Sequence, residues 1–294
     1  MTATGQNLSP AGAEPGRASE TGTTGQSRGL EGRGSAIALT ETDAIYIRGK
    51  SLVDELMGEL DFTSMFIFHM TGRIPAPAEK RLVDAILVTL MEHGLTPSTI
   101  SARLVYLSSP DAIQAAVSAG LLAAGSVFLG AMEDCGEILQ EGVRQVEAGT
   151  ESAEDYCSRV LSRYIAERRP APGFGHNVHR PDDPRTPRLL ALAREEGIAG
   201  PHLELLATLS ETMDELKGRH VTVNATGAIA AVLSDLGYPW QVMRGFSLVA
   251  RAAGIVGHLL EEQQEPLGRE LWDLIAREVP YTGPAVRAPV NGGE

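Results

Sequence analysis

The stretch 173-GFGHNVHRPDDPR-185 holds two glycines, two histidines, two arginines, two prolines and two aspartates in thirteen residues. A plain connecting loop needs the glycines for a turn and the prolines for stiffness, but it has no use for the rest. His176 and His179 lie three apart, as metal ligands can. Zinc sites need a third or fourth ligand at recognisable spacing, and the flanking arginines are poor neighbours for a cation, so no metal is expected. The reading that uses every residue type is an anion site. Six arginines (163, 168, 169, 180, 185, 188) stand against Glu167, Asp182 and Asp183 in this part of the chain. Guanidinium forks suit carboxylate and phosphate oxygens. Glycines let a backbone approach a ligand closely, and a histidine on such a turn can donate to a developing oxyanion.

Outward from this loop, the composition favours helices. The chain has 294 residues, of which 43% are apolar and only 5% aromatic, so its core is built from Ala, Leu, Val and Ile. Ala and Leu are strong helix formers. Helical spacing of apolar residues recurs along the chain, as at Leu82, Ile86, Leu87, Leu90 and Met91. Gly94 is the expected cap of that helix. Thr96 and Pro97 are the expected N-cap and first position of the next. Residues 151–168 read as an amphipathic helix. No alternating pattern longer than four or five residues suggests a substantial sheet; the stretch from Thr42 to Pro75 reads as a short extended start followed by helices. Residues 112–132 carry no charge and could span a bilayer by length. Their Ala, Gly and Ser content argues instead for one buried core helix.

Residues 1–35 contain three Glu, three Arg and no apolar run, and are expected to form a disordered tail that lacks a secretory signal. The net charge of −13 excludes a general nucleic-acid binder and argues against an acidic-membrane binder. Cys135 and Cys157 stand alone in sequence, as free thiols of a reducing cytoplasm do.

The loop resembles the G-[FY]-G-H-x-[VL]-[YH]-[KR]-x-x-D-P-R segment of the citrate synthase superfamily. Further stretches resemble that family in the same order: 46-YIRGKSLVDEL-56, 69-HMTGRIP-75, 90-LMEHGLTPSTISAR-103 and 248-LVARAAGIVGHLLEE-262. The shortness and the "HG" variant resemble its compact branch, with citryl-CoA lyase and the C-terminal lyase part of ATP-citrate lyase. The resemblance implies an all-α, citrate synthase-like fold with a large and a small helical domain in a two-fold dimer. The expected division is a tail at 1–35, the large domain at 36–139 and 223–294, and the small domain at 140–222.

It also implies an enzyme that makes or cleaves a carbon–carbon bond between an acyl-CoA and a keto acid such as oxaloacetate. Coenzyme A would act as a co-substrate thioester, with no permanently bound cofactor. Carried over residue by residue, His176 would touch the keto acid's carbonyl, His93 would lie at the same site, and Arg185 and Arg251 would clamp carboxylates. Gly173 and Gly175 would let the coenzyme approach. His258, seven residues after Arg251, would lie near the site wall or be a packed helix histidine.

Three positions depart from the family pattern. Phe128 in 125-GSVFLGAMED-134 stands where many members have a histidine, although ATP-citrate lyase resembles this chain there. Thr226 in 223-VNATGAIAAVLSDLG-237 stands where the family has its aspartate base. A threonine hydroxyl does not ionise near neutral pH and cannot replace an aspartate as general base. Glu133 and Asp134 are substitutes by proximity only. Glu265 in 263-QQEPLGRELW-272 stands where the family has an arginine that reaches the partner subunit's site. Two expectations follow: an enzyme with an altered base or a keto acid of fewer carboxylates, or a non-catalytic paralogue that binds CoA esters or pairs with an active homologue.

Overall fold

The structure, a computed structural model, describes residues 34–125 and 130–284. Nearly all of the 1–35 tail expectation, and the Phe128 position, lie outside the described residues. The described chain divides into two units, which meet at Glu55 and Leu56.

The first unit holds a small antiparallel sheet in the order β1 (Ala38–Thr40), β2 (Ile45–Ile47), β3 (Lys50–Ser51). Ala38 lies opposite Ile47, and Tyr46 opposite Ser51. Both residues of the β2–β3 turn, Arg48 (φ 51°) and Gly49 (φ 82°), are left-handed. Such tight hairpin turns match the right-handed twist of the strands they join. Residues Leu52–Leu56 follow β3 as a single π-helical turn.

The second unit is helical. Its helices are α1 (Phe62–Thr71), α2 (Pro77–Met91), α3 (Pro97–Ser108), α4 (Ile113–Leu122), α5 (Ala131–Glu147), α6 (Ala153–Ala166), α7 (Arg185–Glu195), α8 (Pro201–Lys217), α9 (Ala225–Asp235), α10 (Met243–Gln264) and α11 (Gly268–Glu278). The centre is α9. Its residues Ala228, Ile229, Ala230, Ala231, Val232 and Leu233 are all essentially inaccessible. A helix apolar on every side can be stable in water only when other elements cover it on every side. α5, α7 and α8 do so here, with α2. α10 is the second organising helix, packed on α2, α3, α4 and α5. Its Ile255 and Leu259 form a satellite core with Ala102 of α3 and Ala116 of α4. Gly120 makes that approach possible, since a Cβ there would lie 2.7 Å from Ile255 Cδ1.

Local signals work in most places. Gly72 ends α1 in the left-handed conformation (φ 77°), and the expected amphipathic helix at 151–168 is observed as α6, capped by Ser152. Two expectations need correction, and the Thr96–Pro97 start of α3 is met in position. The residue capping α2 is Glu92, and left-handed Gly94 lies two residues beyond it. Thr96 occupies the N-cap position of α3, but its hydroxyl makes no capping bond. The uncharged run 112–132 is two helices rather than one, because α4 ends at Leu122 and α5 starts at Ala131. Among the described residues no helix is long and apolar enough to cross a membrane. Cys135 and Cys157 are buried free thiols; burial pushes the pKa of each up to about 12.

Candidate functional site

The loop 173–184 is fixed from below by the first turn of α9. Gly173 is left-handed (φ 84°), and a Cβ on it would lie 2.7 Å from Cys135 Sγ and 3.1 Å from Gly227 Cα. A Cβ on Gly227 would in turn lie 2.7 Å from Gly173 O. Two backbones meet here at a distance only glycine allows. The Asn224 N–H donates to Gly173 O (3.0 Å), its amide donates to Gly175 O (2.9 Å), and its Oδ1 accepts from Gly227 N (3.1 Å). Gly173 is therefore fully taken up by packing. Left-handed Gly175 (φ 75°) has open space where a Cβ would point.

Asp183 is the buried anchor of the loop, with no exposed surface. Its carboxylate accepts from Ala225 N at the start of α9 (3.0 Å). It also accepts from Arg185 Nε (2.9 Å) and Nη2 (2.7 Å) in a bidentate pair. Burial opposes its charge, but Arg185 and the backbone donors outweigh this and hold its pKa well below the usual carboxylate range. Asp183 thus sets where the Arg185 fork points. The sequence showed this aspartate only as part of a motif; its burial was not visible there.

His176 lies above this anchor. Its Nδ1 accepts from the backbone N–H groups of Val178 (3.1 Å) and His179 (3.0 Å). A nitrogen that accepts carries no proton, so the proton of the neutral ring is on Nε2. That Nε2 lies 3.4 Å from Arg185 Nη2. Both atoms are donors, so neither satisfies the other; an acceptor oxygen placed between them would satisfy both. His179 stacks on His176 (centroids 4.3 Å apart, planes at 28°), and His93 meets His176 edge-on at 5.6 Å. His93 and His176 both titrate below the ordinary 6.5. For His93 the cause is loss of water, then Arg185 and Arg251; for His176 it is loss of water, then His179.

Arg251 of α10 completes the group. It is 8% exposed, and its Nη1 is buried with no hydrogen-bond partner. Buried polar groups are nearly always bonded, so an orphan of this kind points to a missing acceptor. Burial lowers its pKa, Glu92 opposes this, and Arg185 reinforces it; a guanidinium nevertheless remains charged. The structure therefore brings His93, His176, Arg185 and Arg251 together, as the sequence implied, and adds His179.

The ring nitrogens of His93, His176 and His179 lie within 4.8 Å of one another, a spacing a metal could use. Ligation through His176 Nε2 would need that atom free of its proton, against the two backbone donors on Nδ1. The adjacent guanidiniums disfavour a cation as well. The chemistry of the set suits an anionic oxygen ligand.

The other expected features are placed as follows. The Thr226 hydroxyl donates to Asn224 Oδ1 (2.6 Å). Glu133 is paired with Arg244 (2.5 Å), so it is engaged. His258 is a packed helix histidine, its side chain 13% exposed, and it does not join the ring contacts of the histidine cluster. Its Nδ1 accepts from Arg103 Nη2 (2.9 Å), and its Nε2 donates to Glu92 (2.9 Å). Glu92 also accepts from the backbone N–H groups of His93 (2.8 Å) and Gly94 (2.6 Å). Arg103, 1% exposed, reaches Glu262 (2.7 Å) and Glu261, and Glu262 accepts from Gly268 N (2.7 Å). This ladder holds His93 in place, and sequence reading missed it. Glu265 is exposed at the end of α10. The six arginines do not form one patch: Arg169 pairs with Glu167 and Arg188 with Glu195. Arg163 lies over Tyr164, and Arg185 faces the histidines.

Comparison with known proteins gives concordant results. A family model described as "Citrate synthase, C-terminal domain" matches residues 25–275. The structure of citryl-CoA lyase from Hydrogenobacter thermophilus is 34% identical with a TM-score of 0.77, over 87% of this chain and 97% of that one. ATP citrate lyase from Methanothrix soehngenii, solved with citrate and coenzyme A, shares the fold at 19% identity (TM-score 0.69, 86% of this chain and 42% of that one). A Mycobacterium tuberculosis relative named "Putative citrate synthase 2" is 30% identical over 240 residues, 79% of this chain. This chain spans only 59% of that relative's length. With the helical fold, the loop and its glycine-dependent seat in agreement, the chain belongs to the citrate synthase family.

Proposed function

We propose that the protein makes or cleaves a carbon–carbon bond between an acyl-CoA and a 2-oxo acid, of which acetyl-CoA and oxaloacetate are the family pair. One observation carries this reading: His176 Nε2 and Arg185 Nη2 converge with no acceptor between them, beside the unbonded Arg251 Nη1. In the cleavage direction the β-hydroxyl gives up its proton and becomes the keto acid's carbonyl. The carbon–carbon bond breaks, and its electron pair passes to the thioester enolate, which takes up a proton. Condensation is the same sequence reversed. Donors placed at the carbonyl oxygen stabilise the charge that develops there. Arg251 would hold the carboxylate, and His93, kept neutral by its surroundings, would complete the wall. Coenzyme A enters as a thioester co-substrate, with the open turn at Gly175 available for its approach. A two-fold homodimer in the cytoplasm and the 36–139, 140–222, 223–294 division belong to this proposal.

One specific observation favours a second reading. Thr226 cannot ionise and is bonded to Asn224, and Glu133 is held by Arg244. A scaffold lacking a base would bind CoA esters without turning them over. The two readings separate when purified protein is mixed with acetyl-CoA plus oxaloacetate, and separately with citryl-CoA or a shorter β-hydroxyacyl-CoA. The individual CoA esters and the oxo acid are then followed by chromatography, because cleavage and condensation both keep the thioester intact. Turnover supports the enzyme. Binding without turnover, with Thr226→Asp gaining activity, supports the paralogue.

A further inference from the structure

One face of α10 collects polar atoms that the rest of the chain leaves unbonded. Arg244, Ser247 and Arg251 stand at i, i+3 and i+7 in this helix, so they share one side of it. Each carries a buried polar atom with no hydrogen-bond partner: Arg244 Nε, Ser247 Oγ and Arg251 Nη1. Among the described residues only Thr96 Oγ1 and Arg103 Nε are in the same condition. The stripe is closed at both ends. Arg244 pairs with Glu133 at the start of α5 (2.5 Å), and His258, seven residues after Arg251, pairs with Glu92 (2.9 Å). Between those two pairs, Ser247 and Arg251 stand open.

Ser247 is the unexpected member of this pair. It is 1% exposed. A hydroxyl inside a helix commonly returns its proton to the carbonyl four residues earlier, as Thr71 does to Ile67 O and Thr89 to Ala85 O. Ser247 makes no such bond. A hydroxyl buried without a partner costs stability, so the fold itself has no use for this one. Arg251 supplies the use. The charges acting on it are Glu92 and Arg185, and Arg185 stands beside His176, so Arg251 belongs to the histidine site. Helical side chains lean toward the helix N-terminus, so a long side chain at 251 extends over the turn that holds Ser247. Residues four apart on one face are neighbours, with Cβ atoms about 5–6 Å apart. A carboxylate has two acceptor oxygens, and it can take a guanidinium N–H on one and a hydroxyl on the other.

We propose that Ser247 is a further substrate-binding residue: its hydroxyl donates to the oxo-acid carboxylate that Arg251 holds, and the two side chains form one cradle on α10. This rests on the function proposed above and adds a specificity-determining residue to the same site. A carboxylate only accepts, so the hydroxyl proton points to the ligand. The oxo oxygen goes to His176 Nε2 and Arg185 Nη2, which leaves the cradle to the acid group alone. An uncharged ketone gains nothing from it.

The test is calorimetric titration of the full chain, of Ser247→Ala and of Arg251→Gln with oxaloacetate, pyruvate and coenzyme A, alongside thermal unfolding of each protein without ligand. Ser247→Ala is expected to bind the oxo acids about tenfold less tightly, as for one lost hydrogen bond to a charged group. It should bind coenzyme A as the wild type does. It should unfold no earlier than the wild type, because alanine removes a hydroxyl that the free protein leaves unbonded. Arg251→Gln should lose the oxo acids altogether. Unchanged oxo-acid affinity in Ser247→Ala, with binding lost in Arg251→Gln, overturns the role of Ser247 and leaves the carbon–carbon function standing. Earlier unfolding of Ser247→Ala, or an equal fall in its affinity for coenzyme A, shows a hydroxyl that serves the fold and overturns the proposal in the same way. Binding of neither oxo acid by the wild type overturns both.

Discussion

Two histidine clusters lie on the helical unit, and they differ in one respect. Around His258 the bonds of the imidazole close on the chain itself: Arg103 donates to Nδ1, Nε2 donates to Glu92, and Glu92 caps the His93 and Gly94 backbone, with Arg103 Nε alone left unbonded. Around His176 they do not close: two donors face each other, and Arg251 Nη1 has no partner. A cluster satisfied by its own chain maintains structure. A cluster whose donors converge on nothing is arranged for an acceptor that comes from outside. Histidine content alone would not distinguish them.

The comparison is tested most severely at its structural end. Arg103→Met leaves Glu262 buried without its cation. Removing one partner of a buried pair costs about 3–5 kcal/mol, so the midpoint of denaturant unfolding should fall by that amount. A loss below about 1 kcal/mol would mean that the ladder is ornamental. At the functional end, Arg251→Gln should cost no stability, because an unpaired buried guanidinium is a burden on the fold. Its turnover should fall by about a hundredfold or more, as for other donors aimed at developing charge. Stability loss without activity loss in this variant would reverse the assignment of the two clusters.

The pH dependence is a smaller effect with a definite sign. His93 and His176 have folded pKa values below 6.5. Between their folded pKa and 6.5 the unfolded chain binds protons that the folded chain refuses, so stability falls as pH drops through that window. Activity should hold at pH 6.5 and disappear only below it, when protonation of Nδ1 breaks its two backbone bonds. A pH–rate profile whose acid limb lies above 6.5 would contradict this. The smallest expected effect is at the loop's outer edge. His220 bridges Asp214 (2.7 Å) and Asp182 (2.9 Å), and both raise its pKa, Asp214 first. Its contribution is complete below 6.5 and lost as pH rises through the raised value. Because the pair is solvent-exposed, His220→Asn should cost less than about 1 kcal/mol at pH 6, and less still at pH 9, by thermal unfolding.

The helical class was legible in the sequence because α9 and α10 carry their burial pattern in their composition. The helix ends were less legible. Glu92 rather than Gly94 closes α2 because the Glu92 carboxylate binds the next two backbone N–H groups, a contact fixed by tertiary position. The break within 112–132 has no charge or proline to announce it. At the site, His93, His176, Arg185 and Arg251 were singled out by the resemblance of short motifs to the citrate synthase superfamily, and the structure brings the four near one another. Asp183, His179 and the Arg103 ladder were not, because their roles depend on which atoms are already bonded, and spacing carries no record of that. The same limit explains the six arginines, three of which (Arg163, Arg169 and Arg188) turn to partners on their own surface.

The most direct measurement is interconversion of the CoA esters and their matching oxo acids, followed by chromatography of both, with the wild-type chain and with His176→Ala. Turnover by the wild type that falls by about a hundredfold in His176→Ala, with unfolding midpoints unchanged, is the predicted result. Turnover that survives the substitution intact would place the chemistry elsewhere in the molecule and contradict the site.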